Sequence, residues 1–146
     1  MRKKTTLHAA ALAALLALSL TGTAQAQTPQ ELFVTIQSGE TMAQGAALVL
    51  AGQALAQKAP VRVLLCDKAG DIAVANQPLP TLKPRNVTTQ QMLQGLIQGG
   101  AKVEVCALYL PNTGRAPTDL IPGVTAAAPA DVASHLLKPQ VKTLGF

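Results

Sequence analysis

The distribution of apolar residues along the chain predicts alternating strands and helices. Short runs rich in apolar and β-branched residues occupy positions 32–36, 61–66 and 102–106, and such runs are typical of strands in a buried parallel sheet. Segments with helical character, at about 41–58 and 88–98, lie between these runs. The order strand, helix, strand, helix, strand predicts an α/β fold in which helices pack on a parallel sheet.

Cap and turn residues mark the ends of both predicted helices. Residues 41–44 (Thr-Met-Ala-Gln) and 88–91 (Thr-Thr-Gln-Gln) each carry threonine three positions before glutamine, which is the pattern of a capping box. Alanine and leucine cover most of the first helix, so we expect it to be well buried. The second helix has an apolar stripe and ends at Gly99 and Gly100, because glycine readily adopts the left-handed cap conformation.

The segment 67–87 has no clear periodicity and contains three prolines. A loop of this length is unusual in a compact domain and is often functional. A short helix is expected within it near 71–75. A second loop is predicted from the end of the 102–106 run to about residue 119.

The C-terminal part of the chain predicts two further strands. Residues 120–125 favour a short fourth strand, and residues 141–146 favour a closing strand. Pro129 is suited to the first turn of a helix between them, with Val132 and Leu136 facing inward. The sequence therefore predicts a sheet of about five strands.

The N-terminal residues have the features of a secretory signal peptide. Basic residues at positions 2–4 precede an apolar run at 9–20, and Ala24-Gln25-Ala26 provides small residues at the positions that signal peptidase reads. We therefore expect residues 1–26 to be removed on export to the periplasm, leaving one domain at 27–146. The apolar run is shorter than the roughly 20 residues of a spanning helix, so no membrane span is expected after cleavage.

Charge and residue types exclude several classes of function. Without the three basic residues of the signal, 9 basic and 7 acidic side chains remain, and the chain is poor in aromatic residues; both features argue against nucleic-acid binding. One histidine, His135, and two cysteines remain after cleavage, too few for a structural zinc site. The Ser38-Gly39-Glu40-Thr41 turn lacks the glycine spacing of nucleotide sites. We expect neither a metal nor a cofactor.

Both cysteines of the domain end predicted strands. The carboxyl ends of parallel strands share one edge of a sheet, which is where open α/β sheets bind ligands. Cys66, Cys106 and the Ser38 turn should therefore meet there. If the first strand separated the two cysteine strands, their Cα atoms would lie about 9.6 Å apart, beyond the roughly 7 Å limit for a disulfide. If the cysteine strands were neighbours, a disulfide would be feasible.

The residues around Cys106 resemble a known family. The sequences at 102–106, 110–114 and 119–124 are similar to those of the DsrE/DsrF-like family, and the likeness extends to the closing residues 141–146. It implies a flavodoxin-like three-layer α/β/α sandwich with a mostly parallel sheet, assembled into homo- or hetero-oligomers. It also implies that Cys106 carries sulfur as a persulfide, exchanged with a sulfur donor or acceptor protein.

These observations lead to one favoured hypothesis and two alternatives. The favoured function is a periplasmic sulfur carrier in which Cys106 is the nucleophile, with Cys66, Ser38 and Asn112 as auxiliary residues. The first alternative is a non-catalytic oligomeric protein that binds a ligand or partner at the same edge. The second is a thiol-disulfide redox protein that uses Cys66 and Cys106. The chain differs from the sulfur-relay relatives in its export and in lacking a cysteine at 107–110.

Overall fold

The computed structural model describes residues 29–146, so the predicted signal peptide lies outside the described residues. Within these residues thirteen segments follow one another, of which two are short 3₁₀ turns, at Asp67–Ala73 and Pro117–Asp119. The others are β1 (Glu31–Ile36), α1 (Thr41–Ala56), β2 (Val61–Leu65), β3 (Thr81–Leu82), β4 (Val87–Thr88), α2 (Thr89–Gln98), β5 (Lys102–Val105), α3 (Tyr109–Thr113), β6 (Val124–Ala126), α4 (Pro129–Leu136) and β7 (Val141–Gly145).

A five-stranded parallel sheet forms the centre of the domain. Its strand order is β6-β5-β2-β1-β7, and every pairing within it is parallel. This confirms the predicted α/β fold with a mostly parallel sheet of about five strands. The order places β2 beside β5, so the two strands that precede the cysteines are neighbours.

Helices cover both faces of the sheet. On one face α1 and α2 enclose the main core, whose strand residues are fully or almost fully buried: Val34, Ile36, Val63, Leu65, Val103 and Val105. On the other face α4 covers a smaller apolar cluster around Phe33, Leu64 and Ala127. This second face also carries the buried ion pair of Arg62 and Glu104, whose side chains are 7% and 4% exposed.

The two predicted capping boxes have different outcomes. The box at 88–91 is confirmed, because Thr88 Oγ1 accepts a hydrogen bond from the Gln91 amide and Gln91 Oε1 accepts one from the Thr88 amide. The box at 41–44 is wrong. Thr41 is already the first helical residue, Glu40 is the N-cap without a side-chain cap, and the Gln44 side chain donates instead to the Ser38 carbonyl at 3.0 Å.

The two predicted loops contain more structure than the sequence indicated. The helical turn of the first lies at Asp67–Ala73 rather than near 71–75, and an antiparallel hairpin of β3 and β4 follows it. The second contains α3, which was not predicted. With five residues, α3 is too short to show helical periodicity. The predicted strand at 120–125 begins later, as β6.

Three apolar side chains of α1 are more exposed than predicted. Met42, Val49 and Leu50 are largely exposed, so α1 is not buried on all sides.

In α4, which begins at Pro129 as predicted, Val132 packs on the small cluster, but Leu136 is 39% exposed and does not face fully inward. Among the residues at 29–146, no helix has the length and apolar character needed to cross a bilayer.

Candidate functional site: a cysteine pair at the carboxyl edge of the sheet

Cys66 and Cys106 are the first residues after β2 and β5. The register of these strands pairs Arg62 with Lys102 and Leu64 with Glu104, so the next pair on the same face is Cys66 and Cys106. Their amides extend the sheet hydrogen bonding, since each donates at 2.8 Å to a carbonyl at the end of the neighbouring strand. The Cα atoms lie 5.0 Å apart and the two sulfur atoms are bonded as a disulfide.

The cysteine pair lies in the wall of an open pocket. This pocket has a volume of about 660 Å³, and its lining includes Gln37, Asp67, Lys68, Leu108, Asn112 and Thr113. Both cysteines are half-buried, so neither is sealed within the core. Leu108 is 74% exposed at this pocket, and Lys68 brings a cation to it. The cysteine pair therefore borders a cavity that opens to solvent.

A cluster of three polar side chains links the segments that follow the two cysteines. Asp71 Oδ1 accepts a hydrogen bond from the Tyr109 hydroxyl and another from Arg115 Nη1, both at 2.6 Å. Arg115 also contacts the Tyr109 hydroxyl. We call Asp71, Tyr109 and Arg115 the loop clasp, because Asp71 follows Cys66 and the other two follow Cys106.

The protonation of the loop clasp is set by its hydrogen bonds and its burial. Burial alone would raise the pKa of Asp71, but the hydrogen bonds from Tyr109 and Arg115 outweigh it and lower this pKa. Burial, followed by the hydrogen bond to Asp71, raises the pKa of Tyr109. The hydrogen bond to Asp71 raises the pKa of Arg115. Asp71 is therefore ionised, Arg115 charged and Tyr109 neutral at physiological pH.

The predicted auxiliary residues occupy different places. Asn112 lines the pocket, and its side-chain nitrogen donates to the Leu108 carbonyl at 2.7 Å. Ser38 is not in the pocket wall; its hydroxyl accepts a hydrogen bond from the Glu40 amide at 3.1 Å. Gln37, the residue before Ser38, lines the pocket instead. The roles of Asn112 and Ser38 remain predictions.

Sequence reasoning missed the loop clasp and Lys68. Arg115 lies in the loop beyond Cys106, and its guanidinium pairs with Asp71. Asp71 and Tyr109 are 38 positions apart, and no local pattern connects them. The only available signal was a set of polar side chains in two loops expected at the same edge.

A pair of ionisable side chains lies at the opposite edge of the sheet. His135 lies 3.4 Å from a Glu31 carboxylate oxygen and against the Phe33 ring, and burial lowers its pKa. Its position at the amino edge separates it from the cysteine pair. Within residues 29–146, no group of three or more His, Cys, Asp or Glu side chains is arranged to hold a metal ion.

The structure is similar to two solved structures. It matches the YchN protein from E. coli, a DsrE-like fold protein, with a TM-score of 0.63 and 20% identity, over 80% of this chain and 99% of that one. A protein of unknown function, MTH1491 from Methanobacterium thermoautotrophicum, matches with a TM-score of 0.60 and 10% identity, over 82% and 100% of the two chains.

Sequence comparison adds no family assignment. Neither a protein-family model nor a curated protein matches the chain. At identities of 20% and 10% the likeness to solved structures concerns the fold. The chain has a DsrE/YchN-like α/β fold with two cysteines at disulfide distance.

Proposed function

We propose that this protein accepts sulfane sulfur on Cys106 as a persulfide and that Cys66 resolves the persulfide. One observation carries the proposal: two cysteines face each other at the carboxyl edge of the sheet, in the wall of an open pocket. A buried structural bridge would have no need of such access. The DsrE-like fold of its structural neighbour is consistent with this class of protein.

The first step is a transfer of sulfur to reduced Cys106. The Cys106 thiolate attacks the sulfane sulfur of a donor, and a new bond forms between Sγ and that sulfur. The sulfur–sulfur bond of the donor breaks, and the rest of the donor leaves with the electron pair. Lys68 lines the same pocket, and a nearby cation favours the thiolate over the thiol.

The second step uses the proximity of Cys66. The Cys66 thiolate attacks Cys106 Sγ, which forms the Cys66–Cys106 disulfide and releases the outer sulfur as hydrosulfide. The two cysteines together supply the two electrons that reduce the sulfane sulfur to sulfide. A dithiol reductant, acting by thiol-disulfide exchange, returns the protein to its reduced form for another cycle.

The location and the partners are part of the same proposal. The predicted signal peptide would place the reaction in the periplasm, where the donor and the reductant must then also be present. A donor or acceptor protein would present its sulfur at the pocket, next to the exposed Leu108 side chain. Assembly into an oligomer remains an expectation from the resemblance to the DsrE/DsrF-like family.

Replacing the resolving cysteine should trap the persulfide. Reduced Cys66→Ser protein treated with a sulfane-sulfur donor is expected to gain about 32 Da, one sulfur atom, on Cys106. The wild type should instead lose about 2 Da as its disulfide forms. Intact-mass spectrometry and peptide mapping measure both.

The matched variant Cys106→Ser provides the control for this experiment. It retains Cys66 in the same pocket but lacks the proposed acceptor, so it should gain no sulfur. Equal loading of Cys106→Ser, or no loading of Cys66→Ser, would remove the assignment of Cys106 as the acceptor.

The disulfide itself favours a second candidate function. Cys66 and Cys106 are bonded in the structure, so the pair can act as a thiol-disulfide redox couple without any sulfur transfer. In that case the reduced protein should reduce a small disulfide and release no sulfide from a sulfane donor. Sulfide release therefore separates the two functions.

A further inference from the structure

We infer that Asp71, Tyr109 and Arg115, the loop clasp, are positioning residues that hold the reduced thiols of Cys66 and Cys106 within reacting distance. This inference rests on the proposed function, because it concerns the reaction of that same cysteine pair. The clasp joins the two segments that leave the sheet directly after the cysteines. It therefore remains a link between these segments when the disulfide is absent.

Short backbone connections tie each end of the clasp to its cysteine. The Ala69 amide donates to the Cys66 carbonyl at 3.2 Å, within the 3₁₀ turn that carries Asp71. The Tyr109 amide donates to the Cys106 carbonyl at 2.9 Å, at the start of α3. The Cys106 amide also donates to the Leu65 carbonyl at 2.8 Å, so the sheet holds the two cysteine backbones side by side. A movement of Asp71 away from Tyr109 would therefore displace the residues that directly follow the two cysteines.

Close packing fixes the geometry of the clasp. Gly70 lies directly under the Tyr109 ring, so that a Cβ atom there would collide with the ring. The Arg115 guanidinium lies 5.7 Å from the centre of the same ring. Tyr109 is 4% exposed, and its hydroxyl is held in the pocket wall by Asp71. The ring and its hydroxyl thus have little freedom to change position.

Other contacts between the two segments lie further from the sulfur atoms. The Ala75 amide donates to the Asp119 carbonyl and the Ile121 amide to the Ala73 carbonyl, both at 2.8 Å. These backbone bonds fix the far parts of the segments. The clasp lies between them and the cysteines, so it controls the part of each segment that directly follows a reacting cysteine.

The clasp and the disulfide are thermodynamically linked, so the effect of the clasp can be measured on the thiol-disulfide equilibrium. If the clasp holds the thiols together, it raises their effective concentration and favours disulfide formation. By reciprocity, the disulfide then strengthens the clasp by the same factor. A purely structural clasp would stabilise the oxidised and reduced proteins equally, and its removal would leave the thiol-disulfide equilibrium constant unchanged.

The test compares Tyr109→Phe with the wild type in a glutathione redox buffer. This substitution removes the hydroxyl but keeps the ring on Gly70. The equilibrium constant for forming the Cys66–Cys106 disulfide is expected to fall about tenfold, since the lost hydrogen bond is to a charged group. The rate of sulfide release in a single turnover should fall with it. Asp71→Asn, which keeps the shape of the side chain, should act in the same direction.

Glu31→Gln is the matched control. It removes the carboxylate beside His135 at the opposite edge and should leave both quantities unchanged. An unchanged equilibrium constant in Tyr109→Phe and Asp71→Asn would overturn the inference, even if the wild type releases sulfide normally. A wild type that takes up no sulfane sulfur would instead refute the proposed function, while the glutathione equilibrium would still test the clasp.

Discussion

Replacing Glu104 with glutamine is expected to lower the free energy of unfolding by about 3–5 kcal/mol, because it leaves a buried guanidinium without its counter-charge. Glu104 Oε2 accepts a hydrogen bond from Arg62 Nε at 2.6 Å, and both side chains are almost completely buried on the face under α4. Arg62 also has a buried nitrogen, Nη2, without a hydrogen-bond partner. Nη1 donates to the Asp131 carbonyl at 3.5 Å, which is uncharged, so Glu104 supplies the negative charge beside the guanidinium. Urea denaturation of the oxidised protein measures the loss.

Lys102→Gln is the matched control for this prediction. Its ammonium lies 2.9 Å from the other oxygen of Glu104 but is 55% exposed, so its removal should change stability by less than about 1 kcal/mol. The double replacement Arg62→Met with Glu104→Leu should recover most of the stability, since it removes both charges. If Lys102→Gln and Glu104→Gln lowered the free energy of unfolding equally, burial of the charged partner would not explain the effect of Glu104→Gln.

Reducing the Cys66–Cys106 bridge is expected to lower the free energy of unfolding by about 4 kcal/mol. The two cysteines are separated by 40 positions, and in the chain-entropy model a crosslink over such a loop restricts the unfolded chain by about this amount. The effect comes from the unfolded chain rather than from the folded protein, because the sheet holds β2 beside β5 without help from the bridge. Urea unfolding with and without a dithiol reductant measures the difference.

The double variant Cys66→Ala with Cys106→Ala separates the bridge from the effects of the reductant. It should resemble the reduced wild type and should not respond to reductant. The reduced wild type must also remain folded at physiological temperature, because sulfur transfer requires a folded protein with both thiols free. Complete unfolding on reduction would make the disulfide structural and would exclude the proposed cycle.

The sequence was sufficient to predict the fold class and the edge at which the cysteines lie. Both follow from short-range patterns: buried apolar runs indicate the strands, and each cysteine follows such a run directly. Strand order did not follow, because it depends on how helices pack across the sheet. Once β2 and β5 are known to be neighbours with Arg62 opposite Lys102, the alternation of strand side chains places Cys66 opposite Cys106.

The details of the candidate site were beyond local sequence patterns. Asp71 lies in a 3₁₀ turn and Tyr109 in a helix of five residues, and neither segment is long enough to show periodicity. Their contact depends on the relative position of two loops across neighbouring strands. The 41–44 capping box failed for a related reason: helix α1 begins at the threonine itself, and Gln44 is used to hold the Ser38 carbonyl.

In the proposed function, Cys66 and Cys106 together convert sulfane sulfur to sulfide. The most direct test adds a limiting amount of sulfane-sulfur donor to fully reduced protein, without other thiols, and measures released sulfide and remaining free thiols. The proposed function predicts one sulfide for every two thiols lost, with the two cysteines recovered as the Cys66–Cys106 disulfide. Loss of both thiols without sulfide, or sulfide release that persists in Cys106→Ser, would contradict it.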